Sequence, residues 1–282
     1  MNHIQLVECP RDAMQGISKF ISTENKVKYI NSLIDVGFDI IDFGSFVSQR
    51  HVPQMKDTEE VLSKINLKSN TSLLSIIVNK QGAIKAQSFP QIKYLGYPFS
   101  ISETFQLKNS NKKIVDSLLL VEDVQNMCAN SNQELVVYIS MAFGNIYDDK
   151  YSTSILLDYI NKLIQLGVKN FTLADTIGVA KKRDIYDVFV ELNKINTAFF
   201  GLHLHTEKQS SLEKIESAWS AGCRRFDSTI RGFGGCPFAK NKLVGNVSTE
   251  TIINFIQTEK IKHKLNLLAL ETAYNNSMNI FS

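Results

Sequence analysis

Cysteine is scarce and scattered in this chain. Cys9, Cys128, Cys223 and Cys236 form no C-x-x-C pair and no zinc-ribbon spacing. That excludes a disulfide framework or a thiolate-only zinc module as the basis of the fold, and free thiols in a reducing compartment are expected. A surplus of charge of one sign is lacking too. A net charge of +3 is too small to argue for nucleic-acid or membrane binding, though it suits an anionic small molecule. No apolar run approaches the roughly 18 residues that span a bilayer. The start, Met1 to Glu8, lacks the basic head and apolar stretch of a secretory signal. A cytoplasmic protein without a nucleic-acid or membrane partner is the expectation.

What is present suffices for a large core. Of 282 residues, 44% are hydrophobic and 21% charged, ordinary values for a soluble fold that needs no covalent staples. Short apolar strands alternate with amphipathic helices from end to end. Strands are predicted at Ile4 to Cys9, Phe38 to Phe43, Ser72 to Val78, near Lys93 to Pro98, Leu135 to Ile139, Asn170 to Leu173, around Ala198 to His205, and Arg225 to Ile230. Helices follow them, the clearest from Thr23 to Val36, with Ser22 or Thr23 as the cap and Gly37 as the stop. A further helical segment from Leu265 to about Asn275 is extra. Eight strand–helix units predict an α/β fold, a closed (β/α)8 TIM barrel. An open doubly wound sheet is the competing arrangement, but there functional groups gather at one switch point. Here polar candidates recur after strands one, two, five, six, seven and eight. No linker, repeat or low-complexity run marks a second domain, so residues 1–282 are expected to form one catalytic barrel domain with a C-terminal helical extension.

His203-Leu204-His205 is the most informative motif. Residues i and i+2 of a strand share a face, so two imidazoles project side by side from a strand end. Alone, the motif fits two hydrogen-bonded rings as well as a metal site. Arg11-Asp12 follows the first strand and would, alone, read as a surface ion pair. Asp42 closes the second strand, Asp175-Thr176 the sixth, and Gly232-Phe233-Gly234-Gly235-Cys236-Pro237 the eighth, with Gly245-Asn246 beyond it. One Asp, two His and an amide oxygen suit a hard or borderline divalent ion with open positions, Mg²⁺ or Mn²⁺ rather than Zn²⁺.

Several of these segments, taken together, resemble 3-hydroxy-3-methylglutaryl-CoA lyase. They are Pro10-Arg11-Asp12-Ala13-Met14-Gln15, Ser45-Phe46-Val47-Ser48, Val52-Pro53-Gln54-Met55, Asp175-Thr176-Ile177-Gly178-Val179, His203-Leu204-His205 and Gly232-Phe233-Gly234-Gly235-Cys236-Pro237-Phe238-Ala239. The resemblance implies a barrel that cleaves 3-hydroxy-3-methylglutaryl-CoA to acetyl-CoA and acetoacetate by a retro-Claisen reaction. It implies Asp12, His203, His205 and Asn246 as ligands of Mg²⁺ or Mn²⁺. Arg11 would meet the thioester oxygen, and Cys236 would take part in proton transfer. Asp42 and Asp175 match acidic positions of the site, while Gln15, Tyr138 and Thr176 match positions lining it. His203 is the candidate base, with Asp12 as its rival. An acyl-CoA is the expected small-molecule partner, and a homodimer is left open.

The chain departs from the family pattern at Asp42 (where Glu is expected), Ala13 (Gly), Thr206 (an acidic residue), Ile17-Ser18 (Glu-Lys) and Asn145 (Cys). These changes bear on substrate fit, not on the metal set. The rivals are an acyl-CoA condensing enzyme of the isopropylmalate- or homocitrate-synthase kind, which normally lacks the Gly-Gly-Cys-Pro loop, and a non-catalytic acyl-CoA-binding homologue.

Overall fold

A computed structural model describes residues 3–68, 70–235 and 244–281. Eight parallel strands, β1 (Gln5–Glu8), β2 (Ile40–Ser45), β3 (Ser72–Ile76), β4 (Ile92–Ser100), β5 (Glu134–Ser140), β6 (Asn170–Asp175), β7 (Phe199–Leu204) and β8 (Arg225–Ser228), pair in chain order. β8 returns to β1 and closes the barrel, as the strand count predicted. Between and after them lie α1 (Pro10–Gln15), α2 (Thr23–Val36), α3 (Thr58–Lys64), α4 (Lys80–Gln87), α5 (Glu103–Ser110) and α6 (Ile114–Ala129). The second half adds α7 (Thr153–Gln165), α8 (Lys182–Leu192), α9 (Lys208–Ser220), α10 (Thr249–Thr258) and α11 (Leu267–Phe281). No helix among the described residues is long and apolar enough to cross a membrane.

The strands are apolar on both faces because both faces are covered. Val7, Cys9, Ile40, Leu74, Ile76, Val136 and Tyr138 pack inside the barrel as one cluster. Their strand neighbours, such as Leu6, Ile41, Leu73, Val137, Leu173, Leu202 and Phe226, join the larger layer between strands and helices. This two-residue alternation also decides which polar side chains reach the barrel axis. Asp42 shares the face of Ile40 and points inward. Asp175 shares the face of Phe171 and Leu173 and points outward.

Local signals set the helix ends. Ser22 Oγ accepts from Asn25 N at 3.3 Å at the start of α2. Gly37 closes that helix with φ +83°, a conformation in which a side chain would be strained. The predicted C-terminal extension is α11. It packs along α2, with Asn266 N donating to Val36 O at 2.8 Å and the Tyr29 and Phe281 rings edge to face.

Glu8 lies on the outward face of β1 and is fully buried. Its Oε1 accepts from Ile230 N at 2.7 Å, and Thr249 Oγ1 lies 2.5 Å from Oε2 and 3.0 Å from Ser228 Oγ. Thr249 Oγ1 thus bridges the Glu8 carboxyl and Ser228 in a site closed to water. Burial pushes its pKa from 4.5 up to about 8, the hydrogen bonds from Thr249 and Ile230 offsetting only part of that rise. The folded state therefore keeps this proton up to about pH 8, whereas the unfolded state sheds it near 4.5. Between those values the unfolded chain binds fewer protons, and stability falls as pH rises. A tenfold difference in proton affinity between the two states is worth about 1.4 kcal/mol. Glu8→Gln keeps the shape and removes this slope. Melting temperatures of parent and variant from pH 5 to 9 should diverge in favour of the variant as pH rises; convergence would mean that Glu8 is ionised in the fold.

Candidate active site

The C-terminal ends of the strands bring distant residues together at one mouth. Cys9 O accepts from Ala13 N at 3.1 Å, and Pro10 supplies a preset first position, so the chain turns from β1 directly into the short helix α1. That turn lays Arg11 and Asp12 over the barrel rather than on the surface. His203 is on the inward face of β7. His205 stands one residue past the strand, in an isolated antiparallel bridge to Asn246. Thr206 N donates to Gly245 O at 2.9 Å and Val247 N to Leu204 O at 3.2 Å, which fixes the segment carrying Asn246 against the end of β7.

Asp12, His203 and His205 are all buried, and one ligand-type atom from each lies within 4.8 Å of the others. The two rings are 5.0 Å apart and nearly perpendicular. His205 Nδ1 is buried and has no hydrogen-bond partner among the described residues. Burial and the neighbouring His203 push the His205 pKa down to about 4, Asp12 opposing them only in part. A neutral imidazole with an unmet nitrogen, beside a carboxylate and a second imidazole, is the donor set a divalent cation needs. Burial pushes the Asp12 pKa up, but Arg11, both imidazoles and Asn246 outweigh it and hold the carboxyl below the usual range.

Around this cluster the polar groups interlock. Arg11 binds Asp42 through a fork, Nε to Oδ1 at 3.1 Å and Nη2 to Oδ2 at 2.6 Å. Its Nη1 donates to Gln15 Oε1 at 2.8 Å and lies 3.4 Å from Asp12 Oδ1. Gln15 Nε2 donates to Asp12 Oδ1 at 2.9 Å. Asn246 Nδ2 donates to Asp12 Oδ2 at 2.7 Å and to Phe233 O at 2.9 Å. To offer its oxygen to a cation, the Asn246 amide must turn over. Gly234 passes so close that a Cβ would come 2.6 Å from Asn246 Nδ2 and 3.0 Å from Asp12 O, so the segment after β8 lies directly on the cluster. That segment is braced from outside by α11, through stacked Phe233 and Phe281 rings and the Arg231 guanidinium over Tyr274.

The structure thus gathers Arg11, Asp12, Gln15, Asp42, His203, His205 and Asn246. Tyr138 lines the barrel interior below them, with its ring edge-on to His203. Asp175 and Thr176 are placed differently. The outward parity of Asp175 gives its carboxylate to Val179 N at 2.9 Å and Ala180 N at 3.0 Å, with Lys214 Nζ at 3.9 Å. Thr176 Oγ1 accepts from Met141 N at 2.9 Å and so ties the loops after β5 and β6. The Val-Pro-Gln-Met segment is also supporting structure. Gln54 is buried and bonds Ile21 N, Ile17 O and Lys19 O, stapling the loop between α1 and α2. Cys236 lies outside the described residues. Sequence reasoning missed Asp227 and Arg225, charged residues inside the barrel beneath His203. Their i, i+2 spacing on β8 was the available signal.

The HMGL-like family model matches residues 4–276. The chain belongs to the HMGL-like family. Among its relatives, hydroxymethylglutaryl-CoA lyase of Bacillus subtilis is 29% identical over 265 residues, 94% of this chain and 88% of the relative. The cytoplasmic 3-hydroxy-3-methylglutaryl-CoA lyase of Homo sapiens is 32% identical over 280 residues, 96% of this chain and 71% of the relative. A solved HMG-CoA lyase from Acinetobacter baumannii, in complex with coenzyme A and 3-methylmalate, superposes with a TM-score of 0.91 at 28% identity, covering 99% of this chain and 91% of that one.

Proposed function

We propose that this member of the HMGL-like family is a carbon–carbon lyase that cleaves 3-hydroxy-3-methylglutaryl-CoA to acetyl-CoA and acetoacetate, acting as a single barrel domain in the cytoplasm. The observation that carries the reading is the buried Asp12–His203–His205 cluster set against the Arg11–Asp42 fork at the barrel mouth. Asp12, His203 and His205 would hold a divalent cation, Mg²⁺ or Mn²⁺, with Asn246 as a fourth ligand once its amide turns. Such an ion acidifies a hydroxyl that it binds and polarises a neighbouring oxygen.

The chain's own residues supply the rest. As the C3 hydroxyl of the substrate gives its proton to water at the mouth, the C2–C3 bond breaks, a ketone forms at C3, and the electron pair moves onto the thioester oxygen. Arg11 meets that charge. Asp42 and Gln15 hold its guanidinium in place, so no reorganisation is needed when the charge develops. Cys236, which follows Gly235 in sequence, gives its thiol proton to C2, and its thiolate takes back the proton that water received from the C3 hydroxyl. Asp175 and Thr176 position the loops at the mouth. His203 serves as a ligand and not as the base. Its Nδ1 faces Asp227 at 3.4 Å, so a ring that also holds the cation has no free nitrogen left to take a proton. The depressed pKa of Asp12 likewise makes it a better ligand than base.

The test is turnover of 3-hydroxy-3-methylglutaryl-CoA with and without a chelator. Acetyl-CoA and acetoacetate should form in equal amounts, cease with chelator and return when Mg²⁺ or Mn²⁺ is added in excess. Folded protein that is inert with both ions would overturn the reading. Release of free CoA from acetyl-CoA and a 2-oxo acid would replace it with the condensing reaction.

A further inference from the structure

The barrel interior carries a line of polar groups that ends on the metal cluster. Asp227 is buried on the inward face of β8, and its Oδ2 lies 3.4 Å from His203 Nδ1. Its Oδ1 lies 3.5 Å from Nε of Arg225, two residues earlier on the same face. Arg225 is only 1% exposed, and its Nη2 donates to Tyr138 Oη at 3.3 Å. The pairing of β7 with β8 sets Gly201 beside Arg225 and His203 beside Asp227. Gly201 makes the room, since a Cβ there would come within 2.7 Å of Arg225 Cδ. The order is therefore Tyr138, Arg225, Asp227, His203, and then the cluster with Asp12 and His205.

Burying an ion pair in a barrel core is costly, and apolar side chains of the same volume usually serve stability as well. This pair has a use that apolar side chains could not fill. An imidazole offers a cation one nitrogen lone pair only while its other nitrogen keeps the proton. A carboxylate at Nδ1 fixes the proton there and turns the lone pair of Nε2 to the cation side. Arg225 cancels the charge of Asp227, so the acceptor adds no net negative charge beneath the site. Cys9 lies within 4.8 Å of both His203 and Asp227. Its thiol is buried and turned to its own strand, donating to Val7 O at 3.9 Å.

We propose that Asp227 is a positioning residue that orients His203 for the cation through Nδ1, with Arg225 and Tyr138 holding Asp227 in place. The inference rests on the metal-site reading above, and its test separates the two. Mn²⁺ is titrated calorimetrically into the metal-stripped full chain, as parent, Asp227→Ala, His203→Ala and the double variant. Asp227→Ala should weaken binding roughly ten- to a hundred-fold, the range typical of such supporting groups. His203→Ala should weaken it at least as much, and the double variant should bind no worse than His203→Ala. If Asp227→Ala does not fold, Asp227→Asn takes its place in the same four-way comparison. It keeps the shape and one acceptor oxygen, and should lose affinity toward the lower end of that range. Parent-like affinity after removal of Asp227 overturns the proposal, as does an equal loss in the His203→Ala background. Two Mn²⁺ per chain, one of them lost with Asp227, would make Asp227 a ligand instead and overturn it as well. Parent-like affinity in His203→Ala would defeat the metal-site reading itself.

Discussion

Replacing His205 with alanine should weaken cation binding severely and lower turnover with it. The residue is 5% exposed, its Nδ1 has no partner among the described residues, and its depressed pKa keeps the ring neutral across the physiological range. It stands ready to give a lone pair. Substitution should spare the fold, because His205 is held by backbone pairing to Asn246 and not by its ring. Loss of one of three anchors from a small hard-ion site should weaken Mn²⁺ binding by on the order of a hundred-fold or more, at least as much as loss of a supporting group. Calorimetry and steady-state turnover on the same preparation check both effects. If the variant keeps full turnover in the presence of chelator, the cluster is not a cation site and the mechanism built on it fails.

Much of this was legible in the sequence because strand parity is a two-residue rule. His203 and His205 obey it, and so does Asp42 with Ile40. The same rule, applied to Asp175 after Phe171 and Leu173, would have turned that carboxylate away from the barrel axis. Motif resemblance drew it toward the site, whereas its hydrogen bonds go to Val179 and Ala180. Arg225 and Asp227 escaped notice because paired charges on a short strand ordinarily read as an exposed edge. Only the closed barrel, with Gly201 opposite, makes room for them inside.

The fold was clearest where caps and apolar period agreed, as in α2 between Ser22 and Gly37. β4 was the least clear because Pro98 interrupts it. Pairing with β3 ends at Gly96, and the strand runs on beside β5 through Ser100, where a proline is tolerated. Two short helices went unseen. α1 spans only six residues, too few for an apolar period to show. α5 buries only Phe105 and Gln106, so no apolar stripe announces it.

Arg11→Lys should keep the cation and lose the reaction. The positive charge survives, but the fork does not. A lysine ammonium is a single point donor and cannot reproduce the paired contacts to Asp42 together with the separate one to Gln15. The arginine side chain is 12% exposed, and its partner Asp42 only 1%, so little water is at hand to fill the missing bonds. A donor that is no longer aimed at the developing enolate oxygen typically costs on the order of 10²–10³ in kcat. Cation affinity should change far less, because the ligand atoms come from Asp12, His203, His205 and Asn246, and Gln15 still holds the Asp12 carboxylate. Titrating Mn²⁺ and measuring kcat on the same variant separates the two functions of the mouth. A lysine variant with parental kcat would remove Arg11 from the chemistry. One that loses cation and turnover in step would make Arg11 a support for Asp12 and shift the work of stabilising the enolate to another group.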